Sequence, residues 1–290
     1  MILGTAQLGL QYGINNGTGQ PSVTQAMEIL DCAWHNGITT LDTAGAYGNA
    51  EYIIGRYQKE TGNRFKICTK TTGNDNRTIE ESLQVSLENL QTASVWLYYL
   101  HRYEACKDPQ VIEKLQRLKR EGRIQKIGVS LYEPIELQDV IERLQGVVDI
   151  VQIPFNLLDH ARWMADGLLQ RSHEQGIAVF ARSVYLQGLF FKDPDDVVAR
   201  DLSVSHALTV LRRLAAEKHI TLQQLAIAFL RCQPDVEDFL IGCETVEQLR
   251  QSAALAAAAG ETAITAEEYA LLLQLSQAMD ARSIDPRQWH

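Results

Sequence analysis

Short apolar runs alternate with longer amphipathic ones along the whole chain. The short runs, at residues 2–5, 39–42, 65–70, 95–100, 124–130, 149–153, 178–182 and 239–242, have the length and residue types of buried strands. Between them, apolar residues recur at helical spacing. Leu83, Leu87 and Leu90 share one face, as do Ile112, Leu115 and Leu118, and likewise Leu137, Val140, Ile141 and Leu144. Gly37, Gly122 and Gly176 stand where three of these helices exit toward the second, fifth and seventh runs. Most successive runs end about 30 residues apart, the length of one βα unit. Units repeated in this order predict an α/β chain closed as a (β/α)8 TIM barrel, with parallel strands inside and helices outside. A doubly wound sheet is the rival fold, but near-regular spacing fits a closed ring better. The interval before the last strand is about twice one βα unit, which predicts a helical insertion. It reads as a polar loop over residues 190–202 followed by helices at 205–218 and 221–231. A C-terminal helix at 265–279 opens on Thr265 and Glu268, the spacing of a capping box. No linker rich in Gly, Pro or Ser interrupts the pattern, so residues 1–290 read as a single domain.

Composition narrows the function classes. The chain is 46% hydrophobic and 22% charged, ordinary for a globular protein. A net charge of −9 argues against a general nucleic-acid binder. No run of about 20 apolar residues is present, so no membrane span is expected. The five cysteines are scattered, without CxxC or zinc-type spacing, and read as reduced thiols. These features make cytoplasm the default location, and a monomer or weak homo-oligomer the expected state.

A barrel of this type carries its chemistry where the strands end. The second predicted strand ends in Asp42, with Tyr47 five residues on; the third ends in Lys70; the fourth runs into His101. The fifth ends in Ser130, the sixth contains Gln152, and the seventh ends in Arg182 and Ser183. Each has an ordinary reading as a turn cap, a solvated strand end or a loop side chain. Matching positions on successive strands make the set harder to assign to chance. A phenol is a poor acid at neutral pH. A neighbouring ammonium, Lys70, favours the phenolate, and a buried lysine needs an anion, which Asp42 supplies. His101 can orient a carbonyl oxygen. Tyr47 thereby becomes a general acid for a carbonyl that receives hydride from elsewhere. Neither GxGxxG nor GxxxxGK[ST] occurs, and His173-Glu174 lacks the second histidine of HExxH, so no metal site is expected.

The segments that carry this chemistry resemble the aldo-keto reductase family. They are Leu3-Gly4-Thr5, Asp42-Thr43-Ala44-Gly45-Ala46-Tyr47-Gly48-Asn49 with Glu51, Cys68-Thr69-Lys70, Leu100-His101, and Gly122 through Ser130. The stretch from Val179 to Leu189 fits as well. The resemblance implies a barrel reductase without metal that takes hydride from NADP(H) more readily than from NAD(H). It implies the catalytic set Asp42, Tyr47, Lys70 and His101. Ser130 and Gln152 match residues that hold the nicotinamide carboxamide, and Ser183, Leu186, Gln187 and Gly188 match a loop over the pyrophosphate. Gly242, Cys243, Thr245, Gln248, Gln251 and Ser252 match the adenosine end, and Gly4, Thr5 and Ala6 complete the cofactor residues. Four positions depart from the family pattern. Leu131 stands where asparagine is frequent, Arg182 where an aromatic ring stacks on nicotinamide, and uncharged Gly242 and Gln248 where basic residues meet a 2′-phosphate. Arg250 is the nearest cation in sequence, and Glu244 is the acidic residue that favours an unphosphorylated ribose.

A carbonyl compound is the expected small-molecule partner. Tyr12, Arg102 and Asn156 are the candidate substrate residues, with Tyr185 and Phe190 completing the wall. This polar mixture suits an aldose, a sugar derivative or a small aldehyde better than a steroid. With a short C-terminal tail, loops are expected to shape the substrate side. Two other functions are compatible with the pattern: a cofactor-binding sensor with little turnover, and a barrel forming a Schiff base on Lys70. The four clustered positive or imidazole groups, Lys70, His101, Arg102 and Arg182, are expected to converge at one mouth.

Overall fold

A computed structural model describes residues 1–71, 78–258 and 262–289. Eight parallel strands follow one another around a closed ring. They are β1 (Ile2–Gly4), β2 (Thr40–Asp42), β3 (Lys66–Lys70), β4 (Val95–Leu100), β5 (Ile124–Ser130), β6 (Ile150–Pro154), β7 (Ala178–Arg182) and β8 (Asp238–Gly242). β8 pairs back onto β1, with Gly242 beside Gly4, and the ring is complete. Each sequence-predicted strand is present to within a residue at either end. Gly37, Gly122 and Gly176 take φ of 74°, 75° and 72°, the left-handed turn that ends a helix.

The two-residue period of a strand sorts the core into two layers. Ile2, Cys68, Leu97, Tyr99, Ile150, Phe180 and Leu240 pack together inside the ring. Their neighbours one residue along, such as Leu3, Ile67, Tyr98, Leu100, Val151, Val179 and Ile241, belong to the larger core between strands and helices. A residue two places beyond an inward one points inward again, one layer higher. Gly4, Lys70, His101, Gln152, Arg182 and Gly242 each stand two places beyond a member of the inner layer. The same alternation that fills the barrel therefore aims these residues at its C-terminal mouth.

The insertion before β8 is more ordered than a polar loop. A 3-10 turn spans Leu186–Phe191 and a short helix spans Val197–Asp201. The Asp196 carboxylate caps that helix, accepting from the Val198 N–H at 2.8 Å. Two longer helices follow, Ser205–Glu217 and Leu222–Arg231. The C-terminal helix Ala266–Gln277 begins with the expected box: the Glu268 N–H donates to Thr265 Oγ1 at 3.2 Å, and the Thr265 N–H to Glu268 Oε2 at 2.8 Å. A further short helix, Ala281–Ile284, carries the chain back toward the mouth of the barrel. Among the described residues, no helix is long and apolar enough to cross a membrane.

Candidate active site

Lys70 sits at the centre of the mouth, 1% exposed, on the last position of β3. An ammonium has three protons to donate. One goes to Asp42 Oδ1, one to the Thr43 carbonyl at 2.9 Å and one to the Tyr47 hydroxyl oxygen at 3.3 Å. Asp42 is 3% exposed and accepts at its other oxygen from Gln152 Nε2 at 2.8 Å. Burial by itself would lower the ammonium's pKa. The Asp42 carboxylate reverses this and holds it above the ordinary lysine value.

This bonding determines which way the Tyr47 hydroxyl can donate. The Tyr47 oxygen accepts from Lys70, which leaves its own O–H free to donate into the cavity. The Lys70 contact also stabilises the charge that the oxygen carries once that proton has gone. Tyr47 is held in place by a tight backbone crossing. A Cβ on Gly9 would lie 1.8 Å from the Tyr47 carbonyl oxygen, and one on Gly48 would lie 2.2 Å from the Gly9 oxygen. Only glycine fits either place, and Gly48 additionally has φ of 55°.

His101 begins the loop after β4, and its backbone N–H donates to Thr71 Oγ1 at 3.2 Å. Its ring stands edge-on to Tyr47, with centroids 6.3 Å apart. Burial first, and the Lys70 charge second, lower the imidazole pKa to about 4. At neutral pH it is uncharged, a form that can donate one hydrogen bond. The expected convergence of four cationic groups is corrected here. His101 is neutral, Arg102 is exposed and does not line the cavity, and among the described residues only Lys70 and Arg182 bring positive charge to it.

A cavity of about 640 Å³ runs over these residues. One arm passes between the loops after β1 and β7. Ser183, Leu186, Gln187 and Gly188 take φ of 59°, 47°, 52° and 95°. Within this turn the Leu186 N–H donates to the Ser183 carbonyl at 2.8 Å and the Gly188 N–H to the Tyr185 carbonyl at 2.9 Å. The β1 loop crosses it: the Ile14 N–H donates to the Gln187 carbonyl at 3.1 Å, Asn15 Nδ2 to the Gly188 carbonyl at 2.5 Å, and Gln187 Nε2 to the Tyr12 hydroxyl at 3.1 Å. The other arm follows β8 to the start of the helix Val246–Ala258.

The matches to known proteins agree with this geometry. A model of the aldo/keto reductase family matches residues 1–276. The chain belongs to the aldo/keto reductase family. It is 28% identical to the uncharacterized oxidoreductase YqkF of Bacillus subtilis, over 86% of this chain and 88% of that one. It is 25% identical to the NADH-specific methylglyoxal reductase of Escherichia coli, over 75% of this chain and 78% of that one. The fold is that of the aldo-keto reductase AKR11C1 from Bacillus halodurans in its holo form, with a TM-score of 0.77 and 23% identity. That likeness covers 99% of this chain and 94% of the other.

In this aldo-keto reductase the cavity brings together most of the residues singled out from sequence. Gly4, Thr5, Ala6, Tyr12, Asp42, Tyr47, Lys70, His101, Ser130 and Gln152 line it. So do Arg182, Ser183, Tyr185, Gln187, Gly188, Gly242, Cys243, Gln248, Gln251 and Ser252. Leu186 is buried behind its loop, and Thr245 is exposed outside the cavity. Asn156 is also absent from the lining. It is 1% exposed, accepts from the N–H groups of Leu158 and Asp159, and donates to the Ser183 carbonyl at 3.0 Å. It braces the β7 loop from behind. Phe190 is buried, and the ring that lines the cavity is its neighbour Phe191. Arg250 lines a separate surface hollow with Glu28, Asp31 and Glu60.

Sequence reasoning missed several lining residues. Gln7, Gln223 and Leu255 have no distinguishing motif. Tyr132 has one: it lies two residues past the end of β5. Its ring centre is 4.1 Å from the Arg182 guanidinium and 3.7 Å from that of Arg287. Both cations are too close to the ring centre to share a face, so the phenol is sandwiched. Arg287, from the C-terminal tail, thus backs a cavity residue without lining the cavity itself. Among the described residues no group of three or more His, Cys, Asp or Glu side chains could hold a metal.

Proposed function

We propose that the protein reduces a small polar aldehyde or ketone to its alcohol, with hydride from a nicotinamide dinucleotide and a proton from Tyr47. The hydrogen bonding of Lys70 carries this reading, because it leaves the Tyr47 proton as the one directed at substrate. The residues present suit a dinucleotide. The β7 loop turns tightly over one arm of the cavity, while Ser130 offers a hydroxyl at the mouth. When bound, the reduced nicotinamide supplies hydride to the carbonyl carbon. His101, uncharged, donates to the carbonyl oxygen and orients it. Tyr47 passes its proton to that oxygen as the C–O bond becomes single. Lys70 then holds the phenolate until solvent returns a proton, and Asp42 with Gln152 keeps Lys70 in place.

The substrate class follows from the wall. Tyr12, Tyr132, Gln187, Gln223 and Arg182 offer polar groups around a limited volume. Methylglyoxal, the compound named in one relative, has the size and polarity expected. The test follows absorbance of the reduced nicotinamide with methylglyoxal and short aldoses. Consumption that requires the aldehyde supports the proposal; tight dinucleotide binding with no turnover on any carbonyl overturns it.

A further inference from the structure

The arm of the cavity along β8 differs in charge from the rest of the site. It opens because Gly4 and Gly242 are paired at the tops of β1 and β8. A Cβ on Gly242 would lie 2.4 Å from the Gln7 side-chain oxygen, so a larger residue there would require the Gln7 side chain to move aside. Beyond it the lining is Cys243, Glu244, Gln248, Gln251, Ser252 and Leu255. Among the described residues of this arm there is no lysine and no arginine. Lys70 and Arg182 lie at the opposite end and are engaged, Arg182 with the Leu131 carbonyl at 3.1 Å and the Tyr132 ring.

The arm instead carries a carboxylate. Glu244 lies between β8 and the helix Val246–Ala258, partly buried, with no ion pair among the described residues. Burial raises its carboxyl pKa, a tendency opposed by its hydrogen bond with Gln248. A helix N-terminus can attract a phosphate through its free N–H groups. Here two of the nearest are taken: the Glu244 N–H donates to Gln248 Oε1 at 2.7 Å, and the Gln248 N–H to Thr245 Oγ1 at 3.2 Å.

We infer that this arm selects a dinucleotide whose adenosine ribose carries no 2′-phosphate, with Glu244 as the residue that reads the ribose hydroxyls. A carboxylate accepts hydrogen bonds from a diol and repels a phosphate dianion. The inference rests on the nicotinamide reading above. It departs from the NADP(H) that family resemblance implies, and it names Glu244, Gln248 and Gln251 as the contacts that set the choice.

The test is a fluorescence titration of the full-length protein with NADH and with NADPH, without substrate, repeated on Glu244→Gln and Glu244→Lys. The wild type is expected to bind NADH at least about tenfold more tightly, the effect of one adverse charge contact. Glu244→Lys is expected to narrow or invert the ratio by strengthening NADPH, and Glu244→Gln to narrow it partway. Equal or tighter NADPH binding by the wild type overturns the inference and leaves the reductase reading standing. Binding of neither overturns the reductase reading itself. A wild-type preference for NADH that both variants preserve, with unchanged melting temperatures, removes Glu244 from the role.

Discussion

The strand ends at the mouth and the loops after β1 and β7 solve different problems with different materials. On the first side, Asp42, Lys70 and Gln152 are inward residues on strands, almost fully buried, with their charges matched inside the barrel. On the second, Tyr12, Asn15 and the Ser183–Gly188 turn are partly exposed, held by a few cross-loop bonds and four left-handed residues. Strands hold a proton relay in place at the cost of burying charge. Loops form a site that a large ligand can enter and leave. Substitutions on the two sides should therefore fail differently.

The largest effect is expected at Tyr47, the proposed proton donor. Tyr47→Phe is expected to lower kcat by roughly 10²–10⁴, the usual contribution of a positioned general acid. Dinucleotide affinity should hardly change, because the ring stays in place between Gly9 and His101. A stopped-flow assay with methylglyoxal checks the rate, and a titration the affinity; retention of wild-type turnover removes Tyr47 as the acid.

Lys70→Met strikes the same network through stability as well. It leaves Asp42 buried with Gln152 as its remaining side-chain partner, and stranding a buried charge costs about 3–5 kcal/mol. Urea unfolding should show that loss. Pairing it with Asp42→Asn should recover much of the stability without restoring turnover. Full recovery of activity in the double variant would show that the ammonium is not needed at Tyr47.

The two sides also differ in how far the sequence reveals them. The strand side was legible because period-two alternation and βα spacing fix both where a residue falls and which way it points. Once Cys68 and Tyr99 fill the barrel, Lys70 and His101 follow. The loop side was legible only in part. Ser183, Gln187 and Gly188 were found by resemblance, but Asn156 resembles a wall residue and is in fact a brace. Tyr132 and Arg287 meet across a distance that no local pattern encodes. Arg250, near Gln248 in sequence, lies on another face of the helix and looks out over Asp31. Helix phase, which depends on where the helix begins, decides that placement.

A smaller effect tests the acid limit of the fold behind the β7 loop. His160 is fully buried among Phe155, Phe229 and Tyr269, and burial lowers its pKa to about 4, as it does for His101. The folded state then holds fewer protons than the unfolded chain below the ordinary histidine value. The stability these groups contribute is full above about pH 6.5 and is lost as pH falls toward 4. At pH 5 the loss from His160 should be about 2 kcal/mol. Unfolding at pH 7 and pH 5, compared with His160→Phe, measures it, and an equal pH dependence in the variant would refute the assignment.

The smallest effect separates the loop side from the strand side most directly. Asn15→Ala removes a bond to the Gly188 carbonyl in an exposed place, so stability should change by about 0.5 kcal/mol or less. The catalytic groups lie elsewhere, so the chemical step in a single turnover should be unaltered. What the bond does is hold the β1 loop across the β7 turn, together with the Ile14–Gln187 and Tyr12–Gln187 contacts. Loosening that crossing should speed dinucleotide release by about two- to fivefold while leaving association nearly constant, because affinity changes at one interface fall mainly on dissociation. Stopped-flow displacement of bound reduced nicotinamide reads this rate. If release limits turnover, kcat rises with it, the opposite sign to every strand-side variant. A slower chemical step in Asn15→Ala would instead mean that the crossing also positions the reacting groups, and the division between strands and loops would no longer hold.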